Sequence, residues 1–168
     1  MKLISILLLN FLLGYSYINK LSEHFLNVDQ LIWIVEDIDK VVEEWRNLGF
    51  NQVKSYDRVN TISQSGAEFY INIAFANLGG ANVTWIEQLT DDNLFYEYLK
   101  SHSDGVLSLV HRISTYRDLE DEILRLKRLH INPLETINIS IPGSTLCYTF
   151  MDTMEKGKYV LRYINNEV

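Results

Sequence analysis

Three polar residues interrupt apolar, strand-like runs in a pattern that could do chemistry: Gln30 in "VDQLIWIV", Glu87 in "ANVTWIEQL" and His111 in "VLSLVHRIS". Alternate residues of an extended strand share a face, so Gln30 stands with Ile32 and Ile34, Glu87 with Val83, Trp85 and Leu89, and His111 with Leu107, Leu109 and Ile113. An imidazole, a carboxylate and an amide oxygen that converge suit zinc, nickel, cobalt, manganese or iron, and three protein ligands leave positions open for water or substrate. Such an ion polarises a carbonyl and stabilises the enolate formed when the adjacent proton leaves. Proton removal still needs a general base within hydrogen-bond reach. Taken singly, each of the three residues is better accounted for as a core polar group with its hydrogen bonds satisfied. Only their convergence makes a site.

The elements that must position them follow from periodicity. The run ending "IVED" predicts a strand, and Ile38, Val41, Val42, Trp45 and Leu48 fall at helical spacing, with Gly49 as a stop. A strand over 51–59, a polar hairpin "NTISQSG" and the strands "AEFYINIAFANL" and "ANVTWIEQL" about Gly79-Gly80 come next. Thr90, Asp91 and Asp92 can cap a short helix, "NLFYEYLKSH". A second unit then repeats the order: "VLSLVHRIS", a helix with Leu119, Ile123, Leu126 and Leu129 on one face, "TINISI", the Pro142-Gly143 turn, "TLCYTFMDT", a turn at Gly157 and "KYVLRYI". Gln30 precedes Asp37 by the same count as His111 precedes Asp118, and Gly49 and His130 follow those aspartates at equal distance. The expected fold class is α+β: two βαβββ repeats, about 28–90 and 105–165, forming one domain over 27–168. They make a curved mixed sheet around a central cleft, with helices outside.

Composition narrows the partners. A net charge of −7 in 168 residues, with no basic run, argues against a nucleic-acid groove and an anionic membrane surface, and leaves small-molecule or protein partners as the default. Cys147 is the single cysteine of the sequence and sits in an apolar run, where a buried thiol is expected rather than a nucleophile. Residues 1–26 carry the apolar stretch "LISILLLNFLLG", too short to span a bilayer comfortably. They read as a signal peptide or membrane tether, which implies export or attachment to a membrane; the alternative is a helix packed on a cytoplasmic domain.

"VDQLIWIVEDIDKVVEEWRNLGF" resembles the opening strand and helix of glyoxalase I and methylmalonyl-CoA epimerase, and "WIEQLTDDNLFYEYLKSHSDGVLSLVHRI" resembles the epimerase's middle segment. On these residues the chain is similar to the vicinal-oxygen-chelate superfamily of glyoxalases, bleomycin-resistance proteins and dioxygenases, over Val28 to Ile164. The resemblance implies a divalent metal held by four side chains, of which Gln30, Glu87 and His111 match three. The fourth, a glutamate that also serves as candidate base, would fall at Leu161 or Arg162, and neither supplies a carboxylate. It further implies an epimerase-like or glyoxalase-like isomerase or lyase working through an enolate, and pairing as a homodimer. The alternative within the same fold is a metal-free small-molecule binding or sequestering protein.

The remaining candidates take supporting roles. Glu87 or Glu68 is a candidate base, and Asp152 or Glu155 a stand-in for the missing carboxylate, although turn acids are mostly solvated. Arg162 can fix a substrate carboxylate or phosphate through its planar fork, neutralise Glu87, or equally stand at an exposed alternating position, with Tyr159 and Trp85 lining the ligand or simply packing. Trp33 reads as core or cleft lining, and Trp45 as helix packing. His24, His102 and His130 lie away from the repeat's polar positions.

Overall fold

The computed structural model describes residues 28–153 and 159–165; the side chains of residues 159 and 163–165 lie outside the description. The expectations for residues 1–26, for Glu155 and for the Tyr159 side chain fall outside it as well. Among the described residues eight strands and three helices follow as β1 (Gln30–Ile34), α1 (Ile38–Asn47), β2 (Lys54–Ser63), β3 (Glu68–Leu78), β4 (Ala81–Gln88), α2 (Leu94–His102), β5 (Gly105–Ile113), α3 (Tyr116–Arg128), β6 (Pro133–Ile141), β7 (Ser144–Met151) and β8 (Tyr159–Asn165). The strands close into a barrel in the order β1-β4-β3-β2-β6-β7-β8-β5, so each βαβββ unit supplies four adjacent strands.

The two halves meet at two seams. One pairs β1 antiparallel with β5, from Gln30 opposite Val110 to Ile34 opposite Gly105. The other pairs Thr61, Ile62 and Ser63 of β2 with Ile139, Asn138 and Ile137 of β6. That second seam explains why β2 runs on to Ser63 through residues expected to form a hairpin: Thr61 and Ile62 are β-branched, and the partner strand satisfies their backbone. The turn itself is confined to the residues around Gly66, whose φ of +86° suits glycine.

Where α1 and α3 lie over the sheet it is covered on both faces and its strands are apolar on both sides, whereas β2 and β6 alternate buried and exposed residues. The inner face packs Ile32, Ile34, Ile71, Ile73, Ile86, Val110, Ile137, Ile139, Tyr148 and Phe150 into one cluster. Helix α2 stoppers one end of the barrel. Its Phe95, fully buried, makes edge contacts with Phe69 and Phe150, and Asn93 caps the helix by accepting from the backbone N–H groups of Phe95 and Tyr96. Outside, α1 covers Ala74, Ala76, Val83 and Trp85 with Ile38 and Val42, and Trp45 leans on Trp85 at 5.5 Å. Helix α3 covers Ile113, Leu161 and Met151 with Leu119 and Leu126. Cys147 packs beside this second outer layer, and burial pushes its thiol pKa up.

Candidate functional site

The stoppered end leaves the opposite mouth, where β1 begins and β8 ends, as the place where the inner face meets solvent. Here Gln30, 2% exposed, is the centre of a polar network. Its side-chain oxygen accepts from Arg162 Nη1 at 2.5 Å and from the Tyr148 hydroxyl at 3.4 Å, while its amide nitrogen donates to Thr84 Oγ1. Arg162 Nη2 donates to Asp29 Oδ2 at 2.5 Å, closing an ion pair in which both side chains are largely shielded. Asn82 Nδ2 holds the Asp29 carbonyl oxygen at 2.9 Å, so the carboxylate is anchored through its own backbone. The network opens into a cleft of about 310 Å³ lined by Gln30, Thr84 and Arg162 together with Lys54, Phe75 and Asn82 among others. Both charged residues in that lining, Lys54 and Arg162, are cations, in a chain whose net charge is −7.

The other expected site residues lie elsewhere. Ile86 of β4 is an inner-face residue, so its neighbour Glu87 faces outward; it is opposite Asn72 on β3 and accepts from Asn72 Nδ2 at 2.8 Å. Val110 of β5 is likewise inner, so His111 faces outward, level with Leu161 beneath α3, and is buried there. Gln30 therefore shares a face with neither, and the three do not converge. Trp85 lies under α1 on the outer face, and Glu68 is exposed at the start of β3, at the stoppered end. Of the expected residues, the structure brings Gln30 and Arg162 together. Asp29, Lys54, Thr84 and Tyr148 join them without having been singled out by the sequence.

A divalent metal does not fit this donor set. The Gln30 oxygen already accepts from a guanidinium, and a divalent cation placed on the same oxygen would face a like charge about 4 Å away, a repulsion of roughly 8 kcal/mol at an effective dielectric near 20. Among the described residues no group of three His, Cys, Asp or Glu side chains is placed to hold an ion. What the arrangement offers is a guanidinium fixed by the Asp29 carboxylate, a lysine and neutral donors around an open cleft, and its two cleft-lining charges are those of an anion site.

The closed mixed barrel built from two βαβββ units is the vicinal-oxygen-chelate fold, and comparison with solved structures shows it. A hypothetical protein, BH1468 from Bacillus halodurans C-125, matches with a TM-score of 0.59 at 13% identity over 84% of this chain and 96% of its own. Methylmalonyl-CoA epimerase from Streptomyces coelicolor, in complex with 2-nitronate-propionyl-CoA, matches with a TM-score of 0.55 at 14% identity over 80% and 94% of the two chains. The epimerase from Mycobacterium tuberculosis gives a TM-score of 0.53 at 15% identity over 90% and 96%. No family model and no curated protein matches the chain in sequence.

Proposed function

We propose that the protein binds a small organic anion, a carboxylate or an acyl group bearing one, in the open mouth of the barrel without a metal. The observation that carries this reading is Arg162: its guanidinium is fixed by Gln30 and Asp29 at the wall of a cleft whose other charged wall residue is Lys54. Holding the fork in place before the ligand arrives removes part of the ordering cost of binding. The test is calorimetric titration of the metal-stripped protein with N-acetylglycine, a small carboxylate. Binding is expected without added metal, to be abolished in Arg162→Gln, and to be partly kept in Arg162→Lys, which retains the charge but loses the fork. Undiminished binding in folded Arg162→Gln, or binding that appears only with a divalent ion, would sink the proposal.

The fold neighbours named as epimerases favour a second reading, an isomerase or lyase acting through an enolate beside a carbonyl. Its metal-dependent form, with Gln30, Glu87 and His111 as ligands, would require residues of opposite faces to bind one ion. Metal content per chain after loading with mixed divalent ions, in wild type and His111→Ala, distinguishes that form from the anion site. Solvent deuterium entering the α position of a bound acyl acid would mark the chemistry itself.

A further inference from the structure

The cleft at Arg162 adjoins a second cavity of about 330 Å³, lined by Gly49, Phe50, Asn51, Gln52, Ala76 and Asn77. Gln52, Ala76 and Asn77 line both, so the two cavities share a wall, and the surface groove they mark runs from the barrel mouth to the C-terminal end of α1. Its far end is built by that helix terminus. Gly49 takes a φ of +98°, its N–H donates to the Arg46 carbonyl, and the Phe50 N–H donates to the Trp45 carbonyl at 3.0 Å, a Schellman motif. The motif sets the Phe50 ring edge-on to Trp45 at 5.1 Å while leaving Phe50 38% exposed, so an apolar surface is held rigidly at the end of the groove. The chain from Phe50 to Lys54 spans at most about 14 Å when extended. Polarity is graded along this length: cations at the mouth, carboxamides of Gln52, Asn77 and Asn51 in the middle, and an aromatic ring at the end.

Resting on the anion reading above, we infer that the ligand is elongated and amphipathic: a carboxylate head at Arg162 and Lys54, an amide-bearing segment along Gln52 and Asn77, and an apolar tail reaching Phe50. Charge at one end and a preset apolar surface at the other give such a molecule two anchors, whereas a small acid uses only the first. The test compares N-acetylglycine with N-octanoylglycine by titration calorimetry on the full chain. A buried methylene contributes roughly a fourfold gain in a closed apolar site. The groove covers the tail on one side, so an overall preference of at least about tenfold for the octanoyl compound is expected. In Phe50→Ser the preference should fall to about twofold with N-acetylglycine affinity unchanged, and Phe50→Leu, which keeps the contact with Trp45, should retain most of it. Equal affinity for the two compounds in wild type, or a preference indifferent to Phe50→Ser, overturns the elongated ligand and leaves the anion site standing. Failure of wild type to bind N-acetylglycine, or binding unaffected by Arg162→Gln, overturns the anion reading and this inference with it.

Discussion

Asp29 is a built-in competitor for Arg162, and its removal should raise ligand affinity. Its carboxylate accepts from Arg162 Nη2 at 2.5 Å, so an incoming carboxylate meets a guanidinium already half spoken for and a like charge close by. A ligand oxygen on Arg162 or Lys54 would sit about 6 Å from the Asp29 charge; at effective dielectrics of about 20 to 40 the repulsion is roughly 1.4 to 2.8 kcal/mol. Asp29→Asn keeps an oxygen for Arg162 and removes the charge, so N-acetylglycine should bind about ten to a hundred times more tightly at low ionic strength. The gap should narrow as salt rises, because the site opens to solvent. Loss of the ion pair should cost only about 1 kcal/mol of folding stability, since neither partner is fully desolvated and the amide retains a hydrogen bond. Calorimetry of wild type and Asp29→Asn over a salt series, with urea unfolding to confirm the fold, measures all three quantities. A tenfold loss of affinity in a folded Asp29→Asn protein would refute the reasoning and recast Asp29 as the residue that holds the guanidinium in its productive position.

Other expectations concern the scaffold. Trp85→Ala removes a side chain 1% exposed under α1 and should cost about 3–5 kcal/mol in urea unfolding, while leaving small-anion affinity within twofold because Trp85 faces away from the cleft. His130 occupies the left-handed position after α3 with a φ of 61°, the place Gly49 holds after α1, so His130→Gly should stabilise the protein by about 0.5–1 kcal/mol. A Cβ at Gly105 would lie 2.9 Å from the Tyr98 hydroxyl, so Gly105→Ala should destabilise by about 1–3 kcal/mol, and Tyr98→Phe should recover part of that in a double-mutant cycle. Burial raises the Glu135 pKa, so its protonated form is favoured in the folded state. Its contribution is fully present below the unfolded carboxyl's pKa and is lost as pH rises through the folded value; Glu135→Gln should therefore be relatively more stable at neutral pH than at pH 3 by thermal unfolding.

The repeat was legible in the sequence, and its register was not. Counting matched Asp118 to Asp37 and so set His111 against Gln30. Asp37 is indeed the N-cap of α1, accepting from the Lys40 N–H, but α3 is capped by Thr115, which accepts from the Asp118 N–H. Aligned on the caps, the counterpart of Gln30 is Ser108, buried on the inner face opposite Ile32. Helix α3 has 13 residues against 10 in α1, and the ungapped match held at the helix C-termini while slipping by the extra turn at the N-termini. A slip by an odd number transfers a strand residue to the other face, which moved His111 from the expected cleft to the layer beneath α3. Glu87 misled for a related reason. Its companions Val83 and Trp85 do form an apolar face, but strand β4 is covered on both sides, and apolar company alone does not say which side is the barrel interior. Arg162 was legible as a polar interruption of the last strand. Asp29 was not, because its role depends on a strand more than a hundred residues away in sequence, across a ladder no local pattern encodes.

Because β1 starts and β8 finishes at the open mouth, the described chain both begins and ends at the rim of the cleft: residue 28 adjoins Asp29, and residue 165 lies three positions beyond Arg162. Anything joined by a short leash at either point is confined near the site at an effective concentration on the order of millimolar. An acidic segment joined directly at residue 28 or residue 165 would then act as an intramolecular ligand and mask a weak free one, whereas a neutral one would not. Affinities for this cleft should accordingly depend on the charge of the segments adjoining residues 28 and 165, even where the fold does not.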